Sequence, residues 1–544
     1  MLRGALCIGL VVALAPACES EPPDPYLPLL EKHAGHTDPP PDTSNKYALD
    51  PAAQALGKKL YFDPNFAGVV IGKDMLLRDM TTAPREPLGA SAHVSCNSCH
   101  DVTMGGSDHT TTPGNVVSFG AGAYDVNSQQ TINSAYADII YWNGRNDSLW
   151  SQIMAVVESH VSVNSNRLRI AWRLIDKYRS EYAAVFPEWP LPPELDDLAM
   201  QKSRLNPDGT CVLDGSNACP AYCHNTYGPC LPRYPLDGRQ GYVELGELPH
   251  CDWADPALDP VLQPYKDAWD CMKLEDQLLA TRIFVNFAKS IAAYEFTLIS
   301  KDSPFDKWAD AGFPAGMLSP AAERGARLFV GKAACAECHE GPMFSDWKFH
   351  AIGVPQLGTY VPTKADCPAG GWCDCVTNDS ALPENCLPNG ARDGLRKLRA
   401  NRFRRDSAWS DDEECRRHFT LHVDANYNAA HPTECDGKVK YYGLTFDDSM
   451  VGQWRTPSLR DVAITAPYMH DGVYANLRDV IVHYNKGGVH SLGGETLGTI
   501  DEKIKVLNLT DQEIDDVVAF LETLTGQVDP AVIEMPVVPP ASAF

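Results

Sequence analysis

The stretch Cys335-Ala336-Glu337-Cys338-His339 decides the fold of this chain, and Cys96-Asn97-Ser98-Cys99-His100 repeats its C-x-x-C-H pattern. In this pattern two thiols can form thioethers to the vinyl groups of one haem, and the histidine can ligate its iron. A zinc site would need two C-x-x-C pairs at short separation, whereas these pairs lie far apart. The sequence therefore predicts two covalently bound c-type haems, attached at Cys96 and Cys99 and at Cys335 and Cys338, with His100 and His339 as iron ligands.

Composition places the chain among globular proteins. It has 544 residues, of which 44% are apolar and 22% charged, and a formal net charge of −25. The negative charge argues against nucleic acid or an anionic membrane as a partner, and is compatible with a cationic electron donor. Strand signals are few, and each half carries one haem motif. We expect a mainly α fold with two cytochrome c-like haem domains and cysteine-rich loop insertions.

The N-terminus has the pattern of an export signal. Arg3 precedes an apolar run over 5–15 that is too short to cross a bilayer, and Ala17 is followed by Cys18. Two processing routes stay open: a lipid anchor at Cys18, or cleavage after Ala17. Both place the mature protein in the periplasm or cell envelope.

Twelve further cysteines fall into two blocks of six. Even numbers of cysteines in polar loops of an exported chain predict disulfides, although the connectivity within each block stays open. The first block is Cys211, Cys219, Cys223, Cys230, Cys251 and Cys271, and the second is Cys367, Cys373, Cys375, Cys386, Cys415 and Cys435.

These patterns predict a domain order. A signal peptide over 1–17 and a disordered, Pro-rich tether over 18–47 precede an N-terminal haem domain over 48–300, with a cysteine-rich insertion at about 205–272. A C-terminal haem domain follows over 301–527, with an insertion at about 364–440, and a tail occupies 528–544.

Helical periodicity and capping signals place the main helices. Leu477, Val480, Ile481 and Tyr484 follow i, i+3, i+4, i+7 spacing, so Tyr484 shares an apolar helix face. One predicted helix begins at Pro51, and another runs over 148–161 with Asn146 or Asp147 as its N-cap. Further predicted helices cover 167–186, 274–298, 321–330 and 476–484. The last begins with a capping box at Thr510 and ends at about 524.

Several runs around the haem motifs resemble the bacterial dihaem cytochrome c peroxidases and their MauG-type relatives. They cover most of residues 50–525 outside the cysteine blocks. The runs are LGKKLYFDP at 56–64, YWNGR at 141–145, SPFDKW at 303–308, TPSLR at 456–460 and TAPYMHDG at 465–472.

The resemblance implies a division of labour between two haems. Peroxide would react at the haem of His100, and electrons would pass from the six-coordinate haem of His339, with Trp142 between them. Phe119 stands where ordinary members carry a detachable histidine ligand, so the first haem is expected to be open, with the loop residue His109 as the nearest substitute. Tyr484 stands where they carry a methionine ligand, which is the MauG pattern.

The resemblance also implies residues on the peroxide side and a calcium site. Gln152 matches the family glutamine, but Ser162 falls where a glutamate belongs. Either Glu158 or His160 moves protons instead, or the reaction with peroxide is slow. A calcium ion would be held by Asn127 and by the carbonyls of Thr465 and Pro467.

The leading hypothesis is an exported peroxidase that reduces hydrogen peroxide with electrons from a small cytochrome or cupredoxin. One alternative is a MauG-like enzyme that oxidises Trp or Tyr side chains of a partner protein. Another is a non-catalytic dihaem electron carrier, against which the open iron and Gln152 argue.

Overall fold

The computed structural model describes residues 24–70, 90–109, 118–124, 126–195, 197–236, 251, 268–358, 390–413, 415–416, 448–489 and 492–542. The signal peptide, Cys18 and most of the second cysteine block lie outside these residues. Within them, no helix combines the length and apolar character needed to cross a membrane.

The described chain is rich in helix and poor in sheet, as predicted. Its helices are Leu27–Leu30, Pro51–Phe62, Leu149–Glu158, Arg167–Lys177, Arg179–Val185, Leu198–Ser203, Leu274–Glu295, Pro304–Asp310, Pro320–Val330, Ala391–Ala400, Leu477–Asn485, Asp511–Glu522 and Pro530–Ile533. Its antiparallel strand pairs are Cys223–His224 with Leu231–Pro232, Phe349–His350 with Trp454–Arg455, and Pro355–Gln356 with Glu495–Thr496.

One core is built on the crossing of two N-terminal helices. Asp50 caps the helix Pro51–Phe62, whose buried face packs on Leu274–Glu295. Gly57 lies at the crossing, where a Cβ atom would be 1.8 Å from the Ser290 carbonyl oxygen. Only glycine therefore permits this approach of the two backbones.

The second core repeats this arrangement in the C-terminal half. The helix Pro320–Val330, which leads into the second haem motif, packs on Asp511–Glu522. A Cβ atom on Gly325 would lie 1.9 Å from the Asp516 carbonyl oxygen. The two halves thus share one helix crossing with one glycine at its centre.

Two predicted helix boundaries differ from the structure. The N-cap of Leu149–Glu158 is Ser148, whose hydroxyl accepts from the Ser151 N–H, instead of Asn146 or Asp147. The predicted helix over 167–186 is interrupted at Tyr178, whose φ of −132° and ψ of 17° are not helical. Its hydroxyl donates to the buried carboxylate of Asp63.

The prediction of a disordered tether over 18–47 is wrong for residues 24–47. This segment contains the helix Leu27–Leu30, and Leu30 is buried in the C-terminal core. The His33 Nε2 lies 3.1 Å from the carbonyl oxygen of His339. Apolar burial and side-chain hydrogen bonds outweigh the Pro-rich composition here.

The cysteine-rich insertions are in part ordered. Sulfur atoms lie 1.96 Å apart in Cys211–Cys223, 2.02 Å in Cys219–Cys230 and 1.91 Å in Cys251–Cys271, so the first block pairs within itself. In the second insertion, the helix Ala391–Ala400 packs on Ile139 of the N-terminal half.

Candidate active site

One cavity brings both haem motifs together, because its walls come from both halves of the chain. Most of the predicted site residues line it. They are Cys96, Cys99, His100, Asn127, Trp142, Gln152, Cys335, Cys338, His339, Thr465, Pro467 and Tyr484. Glu158, His160, Phe119 and His109 do not line it, and their positions are described below.

The two motif histidines are oriented in the same way. The Nδ1–H of His100 donates to the Gly106 carbonyl over 3.2 Å, and that of His339 to the Phe344 carbonyl over 2.9 Å. A histidine whose Nδ1 donates to a carbonyl presents Nε2 as its ligand atom. Burial lowers the pKa of both rings, that of His339 to about 4, so both are in the neutral form that ligates iron.

The four motif cysteines fit haem attachment. None of them is paired in a disulfide, and each is half-buried at the cavity wall. In both motifs the first cysteine begins a short 3-10 helix, Cys96–Ser98 and Cys335–Glu337, and its carbonyl accepts from the N–H of the motif histidine. Two thiols and one imidazole therefore face the cavity on one side of each motif.

Trp142 lies where the halves meet. Its indole N–H donates to the Asn127 carbonyl over 2.9 Å, and its own carbonyl accepts from the Arg455 N–H over 2.8 Å. These bonds tie the loop that carries Trp142 to a C-terminal strand. Trp142 lines the cavity together with both haem motifs, which is the placement that a bridge requires.

Tyr484 lies on the cavity wall, on the predicted helix face with Leu477, Val480 and Ile481. The neighbouring His483 is held elsewhere, because its Nε2–H donates to the Ile352 carbonyl over 2.7 Å and its Nδ1 accepts from the Tyr474 hydroxyl over 2.9 Å. Burial raises the pKa of the Tyr484 phenol, so a phenolate there needs a neighbouring cation such as ferric iron.

The segment that would carry the detachable histidine ligand borders the cavity through Ser118 and Gly120. Phe119 between them is buried and is not among the lining residues. His109, the predicted substitute, does not line the cavity either, and its Nε2 lies 2.5 Å from the Met104 carbonyl.

Glu158 does not line the cavity in this structure, so a role in moving protons there would require its side chain to leave its present partner. Its Oε1 accepts from the Arg167 Nε over 2.9 Å, and its Oε2 accepts from Nη2 over 3.2 Å. Arg167 is buried, and this ion pair keeps the carboxylate beside it. His160 is also absent from the lining, whereas Gln152 and Ser162 belong to it.

The Asn127 side chain faces two carbonyl groups of the C-terminal half. Its Nδ2 lies 2.6 Å from the Pro467 oxygen and 3.3 Å from the Met469 oxygen, and its buried Oδ1 has no hydrogen-bond partner. An amide oxygen and backbone carbonyls are ligands that calcium uses in proteins. As placed here, the amide nitrogen donates to these carbonyls, and a calcium ion would require the amide to turn so that Oδ1 faces them instead.

Three lining residues were not found from the sequence. Glu295 is a buried carboxyl whose pKa burial raises to about 8. Trp454 stacks on His470 with 4.0 Å between ring centroids. Arg455 lies on the strand Trp454–Arg455, directly before the TPSLR run at 456–460. That run was the feature of the sequence that could have drawn attention to this strand.

Comparisons with known proteins agree with this site. Residues 51–204 match the family described as di-haem cytochrome c peroxidase. The chain is 26% identical to cytochrome-c peroxidase IdrP1 of Denitromonas iodatirespirans, covering 99% of this chain and 96% of that protein. It is 23% identical to methylamine utilization protein MauG of Methylorubrum extorquens, covering 90% and 82%.

A similar solved structure is the diheme peroxidase BthA from Burkholderia thailandensis. It has 18% sequence identity and a TM-score of 0.47, and the match covers 93% of this chain and 94% of that one. The two C-x-x-C-H motifs on one cavity and the sequence matches to named peroxidases and MauG proteins lead to the same assignment. Residues 51–204 match the di-haem cytochrome c peroxidase family, and over most of its length the chain is similar to cytochrome-c peroxidases and MauG proteins, which are oxidoreductases.

Proposed function

We propose that this protein is an exported peroxidase that reduces hydrogen peroxide at the haem of His100. Electrons enter through the haem of His339, delivered by a small cytochrome or cupredoxin. The observation that carries this proposal is the single cavity on which both haem motifs meet Trp142. A non-catalytic carrier would not need the open side of the first haem, where Gln152 lines the wall.

The residues divide the work. The bound haems supply the iron that reacts with peroxide and the iron that stores electrons. His100 and His339 hold these irons through Nε2. The Gln152 amide can donate a hydrogen bond to a peroxide oxygen, although an amide is a poor proton carrier. Glu158 is bound to Arg167, so it would have to leave this ion pair before it could move a proton at the haem of His100.

A second candidate is a MauG-like reaction, in which oxidising power is spent on Trp or Tyr side chains of a partner protein. Tyr484 favours this candidate, because a phenolate ligand stabilises oxidised iron where a methionine ligand stabilises reduced iron. The two candidates differ in their reductant: a small redox protein that turns over, or a protein that is itself modified.

Replacing Trp142 with phenylalanine tests the proposed electron route. We expect turnover of peroxide with a reduced small cytochrome to fall at least about tenfold, equivalent to roughly 1.4 kcal/mol on the activation barrier, because the indole is the group between the two motifs. The measurement is steady-state oxidation of the cytochrome, with haem content and ferric spectra recorded for each variant. Trp189→Phe is the control, because this tryptophan is 38% exposed and does not line the cavity.

Three outcomes separate the candidates. Unchanged turnover in Trp142→Phe, with both haems loaded, would remove Trp142 from the route. A wild-type protein whose ferric spectrum does not respond to stoichiometric peroxide would instead be an electron carrier. Rapid turnover with the cytochrome, and no modification of a co-purifying protein, would exclude the MauG-like reaction.

The proposal includes one calcium ion at Asn127. Asn127→Ala should lower bound calcium from about one ion per chain to less than a tenth, because the variant lacks the only side-chain oxygen of the proposed donor set. Elemental analysis after dialysis measures this. Asn286→Ala is the control, since that buried amide donates to the Tyr182 hydroxyl away from the cavity. Equal calcium in both variants would contradict the site.

A further inference from the structure

Arg455 is a buried cation with no anion beside it among the residues that the structure describes. The residue is 6% exposed, and within the described chain its guanidinium makes one hydrogen bond, from Nε to the Tyr141 carbonyl over 3.2 Å. Its Nη1 is buried without a partner, and no carboxylate of the described residues forms an ion pair with it. The Trp347 ring lies 5.2 Å from its central carbon.

Such an arrangement is unfavourable unless another group completes it. Moving a guanidinium from water into the protein interior costs free energy, and a paired anion and hydrogen bonds are needed to offset this cost. One carbonyl and one aromatic ring do not neutralise the charge. Other buried arginines of this chain do have carboxylates, as Arg173 has Asp63 and Arg460 has Asp306. The exception therefore points to an anion that binds there.

The location of Arg455 indicates which anion this is. It lies on the strand Trp454–Arg455, its backbone N–H donates to the Trp142 carbonyl, and it lines the cavity that both haem motifs share. A c-type haem carries two propionate carboxylates, and a haem bound at either motif would bring anions of this kind to the cavity. A guanidinium presents a planar pair of N–H donors that matches a carboxylate.

We propose that the terminal nitrogens of Arg455 bind a haem propionate at the junction beside Trp142. This inference rests on the two haems that the family implies, and it is independent of whether the protein reduces peroxide. Arg455 then has two consequences for the bound haem. It would hold the propionate in place, and its positive charge would stabilise the reduced, more negative state of the iron.

The test is a spectroelectrochemical titration of the purified dihaem protein, comparing Arg455→Met with wild type. We expect the equilibrium constant for reduction of one haem to fall about tenfold. For a one-electron couple this lowers the midpoint potential by ~59 mV. The propionate bending modes in the resonance Raman spectrum should shift in the same variant. Lys348→Met is the matched control, because it removes an exposed positive charge next to the paired strand Phe349–His350.

Unchanged potentials and Raman modes in a fully loaded Arg455→Met protein would overturn the proposal, as would an equal fall in Lys348→Met. If Arg455→Met does not assemble, Arg455→Lys is measured instead. Lysine keeps the positive charge but lacks the planar pair of N–H donors of the guanidinium. The propionate Raman modes should therefore shift, while the equilibrium constant for haem reduction should change less than twofold. Unshifted modes in Arg455→Lys would also overturn it. Neither readout uses peroxide, so failure of the peroxidase proposal is a separate result.

Discussion

Replacing Tyr484 with phenylalanine is expected to convert the haem of His339 from a six-coordinate, low-spin site to a five-coordinate, high-spin one. Phenylalanine fills the same space on the helix Leu477–Asn485 but has no atom that can ligate iron. The wild-type ferric protein should show one high-spin and one low-spin haem, and the variant should show two high-spin haems. Electronic absorption and electron paramagnetic resonance spectra measure both.

Replacing the same residue with methionine should raise the midpoint potential of the haem of His339. A phenolate is anionic and stabilises ferric iron, whereas a thioether is neutral and soft and stabilises ferrous iron. We expect a rise in the midpoint potential on the order of 100 mV, a modest part of the ~0.8 V over which axial ligands tune haems.

The control for both changes is Tyr474→Phe. Tyr474 is buried in the C-terminal core, but its hydroxyl donates to His483 and it does not line the cavity. It should therefore leave the low-spin signal intact. If both variants keep the low-spin signal, the second axial ligand of the haem of His339 is another residue, and Tyr484 has only a packing role.

The haem motifs and Tyr484 could be predicted from sequence because their signals are local. C-x-x-C-H fixes two thiols and an imidazole within five residues. Helical periodicity places Tyr484 on an apolar helix face, and the family resemblance adds that this face meets the second haem. Trp142 depended on a resemblance, and the structure adds the hydrogen bonds that hold its loop against the other half.

The remaining features depend on contacts between distant parts of the chain. Glu158 has the correct chemistry for proton transfer, but its orientation is set by Arg167, whose own position depends on Thr281 in another helix. No spacing rule predicts such a three-body contact. The segment 24–47 likewise has a disordered composition, and only the partners it meets, such as the His339 carbonyl, order it. Arg455 is uninformative until both its burial and its lack of a carboxylate are seen.

Asp63→Asn should cost about 3–5 kcal/mol of the free energy of unfolding, because it leaves a buried arginine without its counter-ion. The Asp63 Oδ2 accepts from Arg173 Nε over 2.9 Å and Nη2 over 2.8 Å, and both side chains are 1% exposed or less. Tyr178 donates to the same oxygen over 2.9 Å. Urea unfolding of the dihaem protein, followed by far-ultraviolet circular dichroism, measures the loss.

The matched control is an exposed ion pair. Lys59 and Glu181, 38% and 36% exposed, lie 3.1 Å apart. Because water screens such a pair, Glu181→Gln should cost no more than about 1 kcal/mol. Similar losses in the two variants would mean that burial does not govern the Asp63 contact.

The C-terminal tail gives this prediction a second, independent test. Arg173 also donates to the carbonyls of Pro540 over 2.7 Å and Pro539 over 3.0 Å, so this part of the predicted tail is held against the N-terminal half. A chain that ends at Val538 keeps the ion pair but loses these acceptors, and should lose about 1–3 kcal/mol as donors are left unsatisfied. In Asp63→Leu/Arg173→Met the buried charge itself is gone. That double variant should be more stable than Asp63→Asn. Ending its chain at Val538 should then lower the free energy of unfolding by less than in wild type, because no guanidinium remains for the tail carbonyls to bind.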